Sequence, residues 1–570
     1  MQLPTGAPAV LSCADARRIV AQVERNLAEP APAVDPLELA QGIGDWLDPH
    51  GLWSAGPGAP PREVILSEGP QVLQELRRAR GRCSAAEAIG RDLAEWMPEL
   101  RGEMERGMAS ASSPLAPSES TFKAASSTPF EDGPVQRPAR DLAQRIGLAL
   151  GTVSGGYGAR TSRYVRSALD RFAPDLAPSR WSEVVLAAAV RAFVPLVDPH
   201  GAWSPADETT SIYDIGLEGD PPMALWEEMT RVAIGIRIDR GARAPLANGD
   251  LILAIDDVES AGLSVEQSNQ LALVQRAEVV RVVVLRDGEL APLELLVEEQ
   301  PAAAPTTPPP RDLAGLRTRR TPYGSGEVLV MTVPEVPDDL GDRIESALEQ
   351  AGAGAVGVLL DLRGNGGGST DGALDALAPF LPGAPLFPMR RRDGSLEVDR
   401  APMPLGPRWD GPVAVLVDEE TASAAEMITG AIASYGRGVV VGRTTYGKGC
   451  AQEYLDDDAG AGLLRLTTLV FARPDGEPMQ RTGIVPDVTL PQLLGIEPTH
   501  PRAPGDLPAN TADREASIPH ALSAWRGPDV RHGDYPRPTW PSHGGRVGPC
   551  AEADVCRALM SLGTRRAAAR

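Results

Sequence analysis

One stretch, residues 412–452, constrains the fold of this chain more than any other. It reads PVAVLVDEETASAAEMITGAIASYGRGVVVGRTTYGKGCAQ. The apolar run Val413–Val417 predicts a buried strand, and Gly438–Val441 predicts the next one. Between them a short polar turn leads into a helix predicted over Ala422–Ala433. Strand, turn and helix in this order form the repeating unit of a parallel α/β sheet.

Two residues of this stretch are candidates for catalysis. Ser423 stands where the strand gives way to the helix, and Lys448 follows in a glycine-flanked loop. The chain holds only two lysines, Lys123 and Lys448, and its other basic residues are arginines. A desolvated lysine amine can lose its proton near neutral pH, whereas a guanidinium cannot. The pair therefore suggests a serine nucleophile with a lysine general base. In the alternative reading, Ser423 only caps the helix and Lys448 is a solvated loop charge.

A second strand–turn–helix unit precedes this one. After a strand at Glu327–Val333 and a helix at Leu340–Gly352, the sequence predicts a strand over Val356–Leu362. That strand runs into the glycine-rich turn 363–368, RGNGGG, and then into a helix over Asp371–Leu381. Exposed backbone N–H groups in such a turn suit an anion, and the absence of a GKS/T motif argues against a phosphate loop. If the two units are neighbours in the sheet, both turns meet at the same edge.

A small β-rich region lies upstream. The segments Ala233–Ile238 and Leu246–Ile255 read as strands, with a Gly249-Asp250 turn inside the second and a helix and hairpin after it. This order resembles a PDZ domain, which binds C-terminal tails by adding a strand to a sheet edge. The resemblance places peptide binding at Ile234, Gly235 and Ile236. The segment before Gly249 is short for a PDZ domain, so the groove is expected to be reduced.

The regions around these units differ in composition. Two Ala-, Leu- and Arg-rich stretches predict helices, and each contains a DPHG-x-WS motif, with His50 and His200 as turn residues or, alternatively, as ligands. Ser/Ala/Pro-rich tracts predict linkers. The predicted organisation is 1–106 helical, 107–138 disordered linker, 139–220 helical, 221–300 PDZ-like, 301–312 linker, 313–495 catalytic core, and 496–570 loop-rich tail with a short helix over Asp554–Leu562.

The net charge and the cysteine spacing limit which partners and sites the sequence predicts. The 570 residues carry a formal net charge of −22, which argues against nucleic acid or an anionic membrane as the main partner. No apolar run reaches the length of a membrane span, and the N-terminus has no clear signal peptide. The cysteines form no metal-spaced cluster with the histidines. Cys550 and Cys556 are either a local disulfide or two free thiols, and Cys450 is expected to pack in the core.

Four motifs together resemble the carboxyl-terminal processing (tail-specific) serine proteases. They are DLRGNGGG, ETASAAE, GRTTYGKGCAQ and LRLTTLVFARPDGEPMQRTGIVPDV, and the resemblance covers about residues 313–491. It implies an α/β crotonase-like core with a PDZ-like domain, and an endopeptidase that recognises apolar C-terminal tails without metal or cofactor. The implied catalytic residues are Ser423, Lys448 and Gln452, with the backbone N–H groups of Gly368 and Ala424 as oxyanion donors. The resemblance favours the periplasm or another exported compartment.

Alternatives remain at this stage. The same core can serve as a catalytically silent binding protein for tails or apolar ligands, or as a CoA-ester enzyme, which the Ser–Lys pair and the PDZ-like region disfavour. Asp361 and Arg363 are read as an ion pair that shapes the glycine turn rather than as reacting groups. The histidines after the core belong to no triad motif. The sequence leaves the oligomeric state open.

Overall fold

A computed structural model describes residues 6–53, 59–111, 119–127, 138–209, 223–274, 279–298, 316–491, 514–536, 538–544, 546–548 and 552–562. The chain divides into two compact units. The first comprises residues 1–25, 31–303 and 454–466, and the second comprises 26–30, 304–453 and 467–570. Among the described residues, no helix is both long and apolar enough to cross a membrane.

The first unit begins with helices, as the apolar spacing of its sequence predicts. Helix α8 is the most buried of them and packs against α2 and α4. A helix with apolar residues on most of its faces needs such neighbours on several sides. Within the described residues, the helices before the first strand are α1 Cys13–Asn26, α2 Pro36–Leu47, α3 Pro60–Leu76, α4 Ser84–Ser110, α5 Glu119–Ser126, α6 Ala139–Tyr157, α7 Ser162–Phe172 and α8 Pro178–Val197.

The expected disordered linker at 107–138 is wrong where the structure describes it. Helix α4 continues through Ser110, and α5 packs against α6 with Thr121 and Ala125 buried. Arg237 donates a hydrogen bond to the Ser126 carbonyl at 2.7 Å and so holds the end of α5. Alanine favours helix, and tertiary contacts decide the state of a segment of mixed composition. Residues 112–118 and 128–137 lie outside the described residues, as does the predicted linker 301–312.

A disulfide between Cys13 and Cys83 joins the start of α1 to the residue that caps α4. Its two cysteines are 70 residues apart in sequence, a separation at which no spacing rule applies. Cys556 is also disulfide-bonded, and Cys550 lies outside the described residues. Cys450 is buried, as expected.

Removing the first bridge should destabilise the protein. We expect Cys13→Ser/Cys83→Ser to lower the free energy of unfolding by about 4 kcal/mol, because a cross-link over this separation restricts the unfolded chain strongly. Urea unfolding under non-reducing conditions measures the change. A loss below about 1 kcal/mol would show that the bridge does not constrain the unfolded chain as the loop-entropy argument requires.

The DPHG motifs are turns, and their aspartates hold them. Asp48 accepts the N–H groups of Leu52 and Trp53 at 2.9 and 2.7 Å, and Asp198 accepts that of His200 at 3.1 Å. The His50 ring hydrogen-bonds the Gly262 carbonyl and Arg231. Burial, reinforced by the Arg231 charge, lowers the pKa of His50 to about 3, so this ring is neutral.

The PDZ-like region is a small β-rich fold with a strand on each side of β4. Its main sheet has the order β3-β4-β5-β8-β9, with β6 beside β5, and β2 pairs with β7. Strand β4 therefore has β3 on one side and β5 on the other, and Ile236 pairs with both Arg231 and Ile252. The predicted carboxylate-binding loop, Ile234, Gly235 and Ile236, lies where the turn after β3 leads into β4, and its role stays a prediction. The elements are β2 Met223–Ala224, β3 Glu228–Val232, β4 Gly235–Arg240, β5 Leu251–Ile255, β6 Val258–Glu259, α9 Val265–Ala272, β7 Leu273–Val274, β8 Val280–Leu285 and β9 Leu293–Val297.

The second unit is built on a six-stranded mixed sheet in the order β10-β11-β12-β15-β16-β19. Strands β11 to β19 in this order are parallel, and only β10 is antiparallel. The two predicted strand–turn–helix units are indeed neighbours, because β12 pairs with β15 from Val358 opposite Val413 onwards. The elements are β10 Arg317–Tyr323, β11 Gly326–Thr332, α10 Leu340–Ala351, β12 Ala355–Asp361, α11 Thr370–Leu377, β15 Val413–Val417, α12 Ala424–Ser434, β16 Val439–Gly442 and β19 Val488–Thr489.

Helices cover both faces of this sheet. One face packs on α10, α11 and α12 through a large apolar cluster. The other packs on the C-terminal helix, which begins at Ala553, one residue before its predicted start. The remaining elements are β1 Ala202–Pro205, β13 Pro385–Arg390, β14 Leu396–Arg400, β17 Cys450–Asp456, β18 Gly462–Phe471 and α13 Ala553–Leu562.

Candidate active site

Ser423 occupies a strained turn between β15 and α12. Its φ is +51° and its ψ is −119°, a conformation that non-glycine residues rarely adopt. Such a conformation costs about 1–3 kcal/mol and persists where the surroundings enforce it, often at functional sites. Ser423 is half-buried at the N-cap of α12, whose first residues are fully buried. The serine is therefore presented at the N-terminus of a buried helix.

The glycine-rich turn lies directly against this serine. A side chain added at Gly367 would place its Cβ 2.8 Å from the Ser423 Cβ, so only glycine fits there. Asn365 is buried and organises the turn: its amide donates to the Val333 carbonyl at 2.8 Å and accepts the Gly367 N–H at 2.8 Å. The Asn365 carbonyl accepts the Ala422 N–H at 2.9 Å. The predicted meeting of the two turns is confirmed.

Among the hydrogen bonds of the described residues, none uses the backbone N–H of Gly368 or that of Ala424. Gly368 is paired with Val336 in a parallel bridge, whose hydrogen bonds are made by the two neighbours of Gly368. The Val336 N–H donates to the Gly367 carbonyl, and the Ser369 N–H donates to the Val336 carbonyl. The N–H of Gly368 therefore points away from Val336. The N–H of Ala424 belongs to the first residue of α12 and has no acceptor within that helix. These are the two groups predicted as oxyanion donors.

The loop that carries Lys448 is held against the serine turn. Tyr446 donates its N–H to the Thr421 carbonyl at 2.9 Å, and Gly449 donates to the buried Gln480 side chain at 2.7 Å. Lys448 is half-buried. Among the contacts of the described residues, no hydrogen bond joins its amine to the Ser423 hydroxyl. Catalytic hydrogen bonds are often long or misaligned without substrate, so this does not exclude the pair.

Gln452 makes different contacts from those predicted. Its side-chain amide donates to the Thr467 hydroxyl at 3.0 Å and to the Cys450 sulfur at 3.6 Å. The expected hydrogen bond between Gln452 and the Lys448 amine is not among the contacts of the described residues. That bond stays a prediction, and in this conformation the Gln452 amide is taken by Thr467 on the paired strand β18.

Glu426 joins the two halves of the site, and the sequence analysis missed it. One carboxylate oxygen accepts the backbone N–H groups of Ser423 and Lys448, at 3.0 and 2.8 Å. The other accepts the Gly447 N–H at 2.8 Å and the Thr445 hydroxyl. Burial raises the pKa of Glu426 to about 7, while these four hydrogen bonds act in the opposite direction. A glutamate three residues after a helix-capping serine was the available sequence signal.

Asp361 and Arg363 form the ion pair that the sequence suggests. The guanidinium donates to both oxygens of the buried Asp361 carboxylate, at 2.8 and 2.7 Å. Arg363 is the first residue of the glycine-rich turn, and the next N–H, that of Gly364, donates to Asp418. The pair thus holds the end of β12, which agrees with the structural reading.

Comparison with known proteins identifies the segment that contains these residues. Residues 327–490 match the model described as peptidase family S41. The chain carries a peptidase family S41 domain. All the residues proposed as catalytic or as oxyanion donors fall within this domain. The sequence resemblance to carboxyl-terminal processing proteases is confirmed.

Curated proteins similar to this chain are also named as processing proteases. A carboxy-terminal-processing protease of Bartonella bacilliformis is 25% identical over 321 residues, 54% of this chain and 69% of that protein. A carboxyl-terminal-processing protease of Synechocystis is 29% identical over 252 residues, 44% of this chain and 56% of that protein. These names support a serine protease. The structure of a photosystem II D1 C-terminal processing protease covers 66% of this chain and 98% of its own, at 19% identity and a TM-score of 0.36, too low to support an argument.

Proposed function

We propose that this chain is a serine endopeptidase that acts through an acyl-enzyme, with Ser423 as nucleophile and Lys448 as general base. The observation that carries this proposal is the strained Ser423 turn, packed on a glycine turn and fixed to the Lys448 loop by one carboxylate. Lys448 takes the proton from the Ser423 hydroxyl, and the oxygen attacks the scissile carbonyl. Lys448 then protonates the leaving amine and later activates the water that releases the acyl group.

The oxyanion of the tetrahedral intermediate is stabilised by the N–H groups of Gly368 and Ala424. One such donor is commonly worth about 3–4 kcal/mol in the transition state. The N-terminus of α12 adds a favourable dipole at the same place. Support comes from the geometry, since Ala424 directly follows Ser423, the neighbour of Gly368 in the turn, Gly367, lies against the serine, and no hydrogen bond among those of the described residues uses either N–H group.

Substrate choice is proposed to favour proteins with apolar C-terminal tails. The proposal rests on the sequence resemblance, which places the carboxylate-binding loop at Ile234, Gly235 and Ile236. The test is proteolysis of a loosely folded reporter, made once with an apolar tail and once with a charged tail. Cleavage of the first at a higher kcat/KM supports both parts of the proposal. Equal cleavage contradicts the tail preference alone.

A latent or silent binding protein is the second candidate. It is favoured by one observation, the missing hydrogen bond between the Ser423 hydroxyl and the Lys448 amine among the described contacts. An unreactive wild type that still binds the tailed reporter would support it and contradict the protease. Labelling of Ser423 by a fluorophosphonate would contradict it.

Export is the proposed location. It is supported by the disulfides at Cys13–Cys83 and at Cys556, because structural disulfides persist in oxidising compartments. Alkylation of native protein before mass spectrometry tests it: both cysteines of the first bridge should resist labelling until a reductant is added.

Gln452 is proposed to orient the Lys448 amine during the reaction. We expect Gln452→Ala to lower kcat about tenfold with little change in KM, as for a group that acts mainly in the transition state. Thr467→Val is the matched control, because it removes only the acceptor that Gln452 uses in this conformation. An equal loss in both variants would mean that Gln452 acts through Thr467 rather than through the lysine.

A further inference from the structure

A short C-terminal segment, Glu552 followed by α13, lies beyond the S41 domain, which ends at residue 490. It nevertheless belongs to the core of the second unit. The buried apolar residues of α13 join a cluster with residues of β11, β12, β15 and β16. Those of α13 are Val555, Ala558, Leu559 and Leu562. Burial on this scale holds the segment in one place on the sheet.

The polar residues at the start of this segment converge on Arg363. Glu552 accepts a hydrogen bond from the guanidinium at 2.5 Å, and Asp554 lies at 3.4 Å from it. The Arg363 side chain is 18% exposed, Asp554 is 10% exposed and Glu552 is 39% exposed. With Asp361, three carboxylates surround one guanidinium. The largely buried Arg363 side chain is thus held by Asp361 at the end of β12 and by two carboxylates of the C-terminal segment.

The charge balance of this cluster favours a fixed guanidinium. Burial acts to lower the pKa of Arg363, but the hydrogen bonds and charges of Asp361 and Glu552 outweigh it, so that the pKa is raised. The cation is therefore permanent. Removal of one carboxylate would leave a buried charge with fewer partners, and such a group moves toward water.

Arg363 is also the first residue of the turn that carries Gly368. From Arg363 to Gly368 the backbone passes through glycines with positive φ at 364, 367 and 368. Glycines restrain the backbone little, so the position of the turn depends on the groups at its ends and on Asn365. The turn is therefore held by the carboxylates around Arg363 at its start, by Asn365 in its middle and by Val336 at its end.

We propose that Glu552 and Asp554 are positioning residues for the glycine turn, acting through Arg363, and that the C-terminal segment is part of the catalytic unit. This inference rests on the proposed function. A misplacement of about 1 Å in a catalytic group can lower the rate about a hundredfold, so a loosened turn should be visible in kcat.

The test compares Glu552→Gln with Glu477→Gln in the full-length protein. Glu477 is a matched control, because it pairs with Arg526 on the surface of the same unit, far from any residue of the turn in sequence. Two readouts are taken: amide hydrogen exchange of the segment 363–369, and kcat and KM on the tailed reporter. We expect Glu552→Gln to speed exchange about tenfold. We expect kcat to fall about ten- to a hundredfold with KM nearly unchanged. Glu477→Gln should do neither.

Each outcome decides the proposal. Faster exchange of 363–369 together with a lower kcat in Glu552→Gln supports it. Unchanged exchange overturns it, and so does faster exchange with an unchanged kcat. If wild type does not cleave the reporter, the proposed function fails, and the exchange result alone then decides whether Glu552 holds the turn. Glu552→Asp keeps the charge and should restore part of the lost kcat, which a general loss of folding would not allow.

Discussion

Ser423→Ala should abolish proteolysis, with a fall in kcat of about 10⁴–10⁶-fold, because no acyl-enzyme can form. Lys448→Arg should cause a loss of similar size. Arginine has a similar long basic side chain, but its guanidinium stays protonated and cannot accept a proton from the serine. The measurement is the steady-state rate on the tailed reporter, with circular dichroism to confirm folding.

The scarcity of lysine supplies the control for this experiment. Lys123→Arg replaces the other lysine of the chain, which is exposed on α5 in the first unit. It should leave kcat and KM unchanged. If Lys448→Arg keeps activity, the general-base role of Lys448 is refuted, while an inactive Ser423→Ala would still identify the nucleophile. Activity in Ser423→Ala would refute the whole mechanism.

Glu426→Gln should change how stability depends on pH. In wild type, burial raises the pKa of this carboxyl from 4.5 to about 7. As the pH rises, the Glu426 carboxyl therefore loses its proton at a lower pH in the unfolded chain than in the folded protein. The stabilising contribution of the protonated group is fully present below pH 4.5 and is lost as the pH rises through 7. The loss amounts to roughly 3 kcal/mol.

Urea unfolding at pH 4.5 and pH 8 measures this effect. The glutamine of Glu426→Gln cannot ionise. Between pH 4.5 and pH 8, the free energy of unfolding of the variant should therefore fall by roughly 3 kcal/mol less than that of wild type. The exposed Glu349→Gln on α10 is the control and should follow wild type. Identical pH dependence in all three proteins would contradict the raised pKa of Glu426.

The same variant should also impair catalysis. A glutamine has one acceptor oxygen in place of two, and its amide would face N–H groups that the carboxylate now binds. Buried donors without acceptors are costly, so the Ser423 turn and the Lys448 loop should separate. We expect kcat to fall about a hundredfold. A variant with wild-type kcat would show that the alignment does not depend on this carboxylate.

The sequence predicted the sheet of the second unit well, because its strands are continuous apolar runs. Val413–Val417 has the predicted bounds, and the meeting of the glycine turn with Ser423 followed from parallel pairing. The start of α12 was predicted two residues early, at Ala422. Alanine and serine there look helical, and only the positive φ of Ser423 delays the helix to Ala424.

What the sequence did not reveal depends on long-range partners. The pairing of β3 with β4 closes an edge that a local pattern leaves open. The bridge from Cys13 to Cys83 joins helices 70 residues apart. Glu426 looks like an ordinary helix-start acid until the lysine loop folds onto it. Each feature is fixed by tertiary contacts that no window of sequence contains.

One carboxylate oxygen of Glu426 accepts the backbone N–H groups of both Ser423 and Lys448, and this also bears on how the two side chains can meet. With both main chains fixed to one atom, the hydroxyl and the amine can approach each other only by rotation about side-chain bonds. Side-chain rotation requires no movement of the loop that carries Lys448. In the proposed mechanism the pair therefore assembles without a loop-closing step. A slow phase before steady state would have to arise in another part of the molecule, such as substrate binding or release.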